Sequence, residues 1–204
     1  GIEVNKEEAS FYYKSAAEQG SSNALLYLGF MYEKGKGVRY DYIEALKYYQ
    51  LAAEKGNSTA LCNLGFLYEK GKGVDKDYLK AIEYYEKAAE QDNTQALCSL
   101  GFLYSNGKGV EKNYQKAIDY YQRAVEKGNT DALINLGFLY EKGEGVEQNY
   151  KKAFEFYQNS AEKGNLNALY NLGFLYENGK GVEQDIQKAF ELYEKSSKKD
   201  STNF

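Results

Sequence analysis

This chain has no histidine, no proline and no tryptophan, and only two cysteines among its 204 residues. Lack of histidine removes the commonest general base and the commonest metal ligand. The carboxylates are spread along the chain, and no nucleophile stands beside a base, so the sequence assembles neither a catalytic constellation nor a metal cluster. An enzyme is therefore not expected, nor are a metal, a cofactor or a small-molecule substrate. Basic excess is missing too. The formal net charge is −4, which leaves nothing to neutralise a phosphate backbone and argues against nucleic acid as a partner. No apolar run approaches the ~18–20 residues that a membrane span needs, so membrane insertion is not expected. The first residues, GIEVNKEE, carry neither the basic nor the apolar region of a signal peptide.

What is present is repetition. The segment NLGFLYEKGKGV recurs nearly intact five times, with its first glycine at Gly29, Gly65, Gly101, Gly137 and Gly173, an interval of 36 residues. A fixed period of that length is the signature of a stacked array in which each unit packs on its neighbours. The units align as 21–56, 57–92, 93–128, 129–164 and 165–200. Residues 1–20 match the second half of a unit, and 201–204 form a tail that breaks the pattern.

Residues 57–92 serve as the type. Gly56-Asn57-Ser58 ends one helix with a left-handed glycine and caps the next. Helix A runs from about Thr59 to Lys70, with Ala60, Leu61, Leu64, Leu67 and Tyr68 on one stripe. Gly71-Lys72-Gly73-Val74 is a tight loop whose glycines permit positive φ. Asp77 caps helix B, and Asp41, Asn113, Asn149 and Asp185 hold the same place in the other units. Helix B puts Tyr78, Ala81, Ile82, Tyr85, Ala88 and Ala89 on a single apolar stripe of 3.6-residue period. Two antiparallel helices per unit, stacked, give an all-α fold, an α-solenoid of helix-turn-helix repeats. At the start, Gly1 to Asn5 align with Gly109 to Asn113, so the chain is expected to open inside an A–B loop, as a piece of a longer array. Ser196 and Ser197 replace mostly Ala or Val, which suits a more polar terminal unit, and Lys6 and Ser10 suggest a first helix that is only partly covered.

The pattern carried by Ala60, Leu61, Leu64, Gly65, Tyr68, Gly71, Gly73, Val74, Ala81, Tyr85, Ala88 and Ala89 resembles the Sel1-like repeat, a relative of the tetratricopeptide repeat, over nearly the whole chain. The resemblance implies a right-handed superhelix with helix A on the concave side and helix B on the convex side. It also implies noncatalytic adaptor or scaffold work. Family members act in membrane-protein degradation complexes, cell-wall synthesis regulation and bacterial contact with host cells, so the family does not choose a pathway.

On that analogy, helix-A residues off the packing stripe face a groove. Phe30, Phe66, Phe102, Phe138 and Phe174 form an invariant row, and Leu26, Cys62, Cys98, Ile134 and Tyr170 a variable one beside it. The functional reading is a hydrophobic ladder for a peptide or protein partner. The alternative is that each Phe packs against the adjacent helix A, and the exposure of the five rings decides between them. The acidic row Glu33, Glu69, Glu141 and Glu177, interrupted by Ser105 and flanked by Lys34, Lys70 and Lys142, reads as a solvated face. A charged rim that orients a partner is its alternative, which keeps Glu69 and Glu141 among the candidate binding residues. The tyrosines are read as structural, Tyr32, Tyr68, Tyr104, Tyr140 and Tyr176 in helix A and Tyr13, Tyr49, Tyr85, Tyr121, Tyr157 and Tyr193 in helix B. Tyr170, in the variable row, could donate a hydrogen bond to a ligand.

Cys62 and Cys98 occupy equivalent positions one repeat apart. Stacked helices lie roughly 8–10 Å apart, and a disulfide needs Cα atoms within about 7 Å. Free thiols are expected, which leans toward a reducing compartment and separates this chain from the cysteine-rich bacterial branch of the family. The Gly-Lys-Gly-Val loops lack the spacing of a phosphate loop and follow no strand. The leading reading is a protein-interaction scaffold binding on the helix-A face. The alternative is an architectural spacer or oligomerisation segment of a larger protein.

Overall fold

The structure, a computed structural model, describes residues 6–197, with side chains from Ala9 onward. The readings placed on residues 1–5, on the Lys6 side chain and on the tail 201–204 lie outside the described residues. Its regular structure is entirely helical: α1 (Lys6–Glu18), α2 (Ser22–Lys34), α3 (Tyr42–Glu54), α4 (Ser58–Lys70), α5 (Tyr78–Ala89), α6 (Thr94–Asn106), α7 (Tyr114–Glu126), α8 (Thr130–Lys142), α9 (Tyr150–Glu162), α10 (Leu166–Asn178) and α11 (Ile186–Ser197). Even-numbered helices are helix A of a repeat and odd-numbered ones helix B. The array divides into two compact units. The first runs to Leu103 and includes the loop Gly107–Glu111; the second takes Tyr104–Asn106 and everything from Lys112.

Local chemistry sets each helix boundary. At the start of α4 the Asn57 side chain accepts from the Ala60 N–H at 3.0 Å, satisfying an end-group donor that the helix itself leaves unpaired. Gly71, at φ 67°, closes α4 in the left-handed conformation. Its N–H and that of Lys72 both reach back to the Leu67 carbonyl. The loop is then clipped shut, because the Asp77 N–H donates to the Tyr68 carbonyl at 3.0 Å while the Asp77 carboxylate caps α5 through the Lys80 N–H. Asp41, Asn113, Asn149 and Asp185 make the same backbone bond to Tyr32, Tyr104, Tyr140 and Tyr176. In the turn between α5 and α6, Asp92 adopts a left-handed backbone (φ 55°), the conformation held by Gly20, Gly56, Gly128 and Gly164 in the corresponding turns.

Packing follows the two stripes. In the first unit Ala60, Leu64, Leu67 and Ala81 are wholly buried and Tyr85 almost so. In the second unit Ala153, Tyr157, Leu172 and Leu175 form the equivalent core, with Phe154 and Phe174 packed against it. Two glycines per repeat make the close approaches possible. A Cβ on Gly65 would lie 2.7 Å from the Tyr85 ring, and one on Gly29 or Gly137 would meet Tyr49 or Tyr157 at 2.5 Å. Helix B therefore rests its tyrosine directly on bare helix-A backbone. The loop glycine Gly73 does the same between repeats: its added Cβ would sit 2.7 Å from Cβ of Tyr42, at the start of the preceding repeat's helix B.

Gly65→Ala tests this contact. Forcing a methyl group into a filled core costs roughly 1–3 kcal/mol, against a gain of about 1 kcal/mol in helix propensity. A net loss of up to about 2 kcal/mol is expected in urea denaturation; a raised midpoint would show that the ring has room to move.

Candidate functional site

In the repeats that carry a glutamate one turn after the helix-A glycine, the tyrosine seated on that glycine is also tethered by its hydroxyl. Tyr49 donates to Glu33 at 2.7 Å, Tyr85 to Glu69 at 2.9 Å, Tyr157 to Glu141 at 3.0 Å and Tyr193 to Glu177 at 2.7 Å. Glycine and glutamate are four residues apart in helix A, hence on one face, and together they form a socket for one ring. The second carboxylate oxygen accepts from the following lysine: Lys34 on Glu33 at 2.6 Å, Lys70 on Glu69 at 2.5 Å and Lys142 on Glu141 at 2.7 Å. Glu33, Glu69 and Glu141 are each under a tenth exposed. The solvated acidic face expected from the sequence holds for Glu177, which is exposed, and is corrected, with the charged rim, for Glu33, Glu69 and Glu141: these are core residues, buried because a tyrosine hydroxyl and an ammonium satisfy them. Burial, and then the facing carboxylate, raises the Tyr49, Tyr85 and Tyr157 hydroxyls well above the usual tyrosine value. The same causes take Tyr193 up to about 12.

The phenylalanine row lies at the surface of this core. In the first unit Phe30 and Phe102 are each 37% exposed and Phe66 is half-buried; in the second Phe138 is 45% exposed and Phe174 half-buried. Each ring carries a lysine over its face. The ammoniums of Lys34 and Lys36 stand 5.8 and 5.3 Å from the Phe30 centroid, and those of Lys70 and Lys72 stand 5.8 and 4.9 Å from that of Phe66. Lys108, Lys142 and Lys180 cover Phe102, Phe138 and Phe174 at 4.5, 5.4 and 4.8 Å. Such contacts contribute about 0.5–1 kcal/mol each at exposed sites.

The variable row separates into three kinds of residue. Leu26 and Ile134 are partly buried against the cores of their units. Cys62 and Cys98 are free, as expected, but buried, so the structure corrects their placement on an accessible groove. Burial, with the Glu69 charge second, pushes the Cys62 thiol up to about 12, which removes thiolate chemistry at neutral pH. Tyr170 is exposed and its ring packs tilted on Tyr193 at 5.2 Å. Of the helix-A tyrosines read as core, Tyr104 is buried and Tyr32, Tyr68 and Tyr140 are half-buried; Tyr32, Tyr68 and Tyr104 stack on Tyr48, Tyr84 and Tyr120, and Tyr140 stacks on Phe156.

No group of three or more metal-ligating side chains occurs among the described residues, and no described helix is long and apolar enough to cross a membrane. An open cleft of about 410 Å³ in the first unit is lined by Gln50, Glu54, Leu61, Leu64, Tyr84 and Lys87 among others. Its lining pairs no nucleophile with a base. Sequence reasoning missed the lysine over each ring, although its signal was present: Lys36, Lys72, Lys108 and Lys180 follow their phenylalanines at a constant offset of six residues.

A family model described as Sel1 repeat matches residues 1–21, 22–57, 58–93, 94–129, 130–165 and 166–201. Among solved structures, the chain is similar to a Sel1 repeat protein from Oxalobacter formigenes, at 35% identity and a TM-score of 0.82, covering 94% of this chain and 83% of that one. It is also similar to a protective antigen present in uropathogenic Escherichia coli strains, at 36% identity and a TM-score of 0.80 over 91% of this chain. The chain spans 40% of the length of that antigen. An immunity protein from Pseudomonas aeruginosa matches at 25% identity and a TM-score of 0.64, over 92% of this chain and 72% of that one. Among curated proteins, none matches.

The tyrosine–glutamate bonds generate two expectations. Tyr85→Phe strands one oxygen of a buried carboxylate, and a loss of about 1.5–3 kcal/mol is expected in urea denaturation; a loss below ~0.5 kcal/mol would mean the bond is dispensable. The raised hydroxyls also predict alkaline unfolding. The unfolded chain releases these protons near the ordinary value of 10, whereas the folded chain holds them to higher pH. Stability from this source is complete below pH ~10 and falls as pH rises beyond it. The melting temperature followed by circular dichroism should be flat to pH ~10 and then decline; a flat profile to pH ~12 would contradict the tethered tyrosines.

Proposed function

The chain belongs to the Sel1 repeat family, and on that premise we propose that it is a noncatalytic interaction scaffold whose helix-A face binds a protein or peptide. Sel1 repeats generally mediate protein–protein interaction and their scaffolds are generally non-catalytic. The observation that supports the helix-A face is the partial exposure of the phenylalanine row, with Phe138 nearly half accessible in the second unit and Phe30 and Phe102 over a third accessible in the first. A packing-only role does not account for this repetition of accessible rings. The core is already closed beneath them by Leu64, Leu67 and Tyr85, and by their equivalents in the second unit. Large aromatic side chains left part-exposed at regular spacing offer apolar contact area at low entropic cost.

In this reading the docking residues are Phe30, Phe66, Phe102, Phe138 and Phe174, joined by Leu26, Ile134 and Tyr170. Cys62, Cys98, Glu69 and Glu141 support the face from beneath. The test is affinity capture from native lysate with the parent chain and with the Phe66/Phe102/Phe138→Ser variant, its helicity checked by circular dichroism. A partner held by the parent and lost by the folded variant is the expected result. Equal capture by both would move the site off this face. Loss of helicity in the variant would make the row part of the core and favour a purely architectural role.

A further inference from the structure

Burial of the glutamates changes the electrostatics of the helix-A face. Sequence alone places alternating acids and lysines at its edge, and their charges cancel. In the structure Glu33 and Glu69 turn inward to their tyrosines and stay paired with Lys34 and Lys70, so those charges cancel and the cations without an acid partner are in the loops. The neighbouring loop lysines Lys36, Lys72 and Lys108 lie over Phe30, Phe66 and Phe102. Among the described residues no carboxylate comes within ion-pair distance of these three. Beside them in the first unit stand Arg39, then Asp75 with Lys76, then Glu111, so cations exceed acids in its first two loops outside the capping residue and balance in the third. The second unit lacks this bias: Glu144 takes the place of the loop lysine and Glu147 follows it, while Lys180 is matched by Glu183.

We propose that the helix-A face of the first unit binds an extended acidic peptide, with apolar side chains on Phe30, Phe66 and Phe102 and carboxylates on Lys36, Lys72 and Lys108. This deepens the reading above and rests on it. The three lysines occupy one position in three successive repeats, and the Asn57 side chain, at the cap of one helix A, donates to Asn23 in the preceding one at 3.2 Å. Packed helices stand roughly 8–10 Å apart, and an extended peptide advances about 3.3 Å per residue. One carboxylate at every third residue therefore keeps step with the lysines. Each ammonium is already positioned on a ring, so little side-chain freedom is lost when it pairs. Carboxylates and lysines also attract at a distance, which steers encounter and makes binding sensitive to salt.

The experiment is fluorescence anisotropy of the full chain with a fluorescein-labelled peptide carrying Glu at every third position and Leu between. Versions with Gln or Lys in place of Glu are the comparison. The Glu peptide is expected to bind at least about tenfold more tightly than the Gln peptide at low ionic strength, with the advantage shrinking as salt is added. The Lys36→Gln/Lys72→Gln/Lys108→Gln variant, which removes the charges but keeps a shorter polar side chain and should keep the helical signal, is expected to erase that advantage. Equal binding of the Glu and Gln peptides, tighter binding of the Lys peptide, binding of none, or an advantage that survives in the lysine variant would each overturn the acidic-peptide proposal. The phenylalanine variant separates the two readings. If it loses a Gln peptide that the parent holds, the apolar face stands and only the charge proposal falls; if it binds every peptide as the parent does, the helix-A face itself is wrong.

Discussion

The structure depends on a tyrosine ring lying flat on bare helix backbone with its hydroxyl bonded to a buried carboxylate. Helix A supplies the bare backbone as a glycine and the acceptor as a glutamate one turn later; helix B supplies the ring. In Gly65, Glu69 and Tyr85 the contact is closed at both ends, since a methyl group would collide with the ring and the hydroxyl is held at 2.9 Å. A ring so fixed sets both the distance between the two helices and their register. The buried charge is tolerated because its oxygens are shared between a tyrosine and a lysine, so no lone acceptor is left in the core.

That interior arrangement determines the character of the surface. Turning the acid inward leaves its lysine partner outward, and the loop lysine folds back over the neighbouring phenylalanine. In the first unit the strip is aromatic, with Lys36, Lys72 and Lys108 over its rings. The same packing removes Cys62 and Cys98 from the face, since both are buried. What this face presents is a row of part-exposed rings, each with an ammonium over it.

The ends of each helix are another consequence of the repeat. Asn or Ser before helix A, a left-handed glycine after it, and Asp or Asn before helix B satisfy backbone groups that stacking alone would leave unpaired. The bond from the helix-B cap N–H to the helix-A tyrosine carbonyl draws the two helices together at the loop. Tyr32, Tyr68, Tyr104 and Tyr140 then stack on an aromatic ring of helix B at centroid distances of 5.5 to 5.7 Å. Loop closure and aromatic stacking therefore act on the same seam.

The sequence by itself determined the repeat, its helix pairs, the capping residues and the free state of both cysteines. These are local or periodic properties, and a helix stripe or a cap is specified by neighbours within a turn or two. It also marked Phe30, Phe66, Phe102, Phe138 and Phe174 as a row. Tertiary structure alone decided which polar residues the core takes in. Glu69 lies four residues from Gly65 but sixteen from Tyr85, and a charged residue on a helix reads as solvent-facing until a partner in another helix is known. The exposure of the phenylalanines was decided in the same way, because it depends on how completely Leu64, Leu67 and Tyr85 fill the space beneath them. The placement of the loop lysines over the rings was decided there as well, since Lys36 meets Phe30 only once the loop between α2 and α3 has closed.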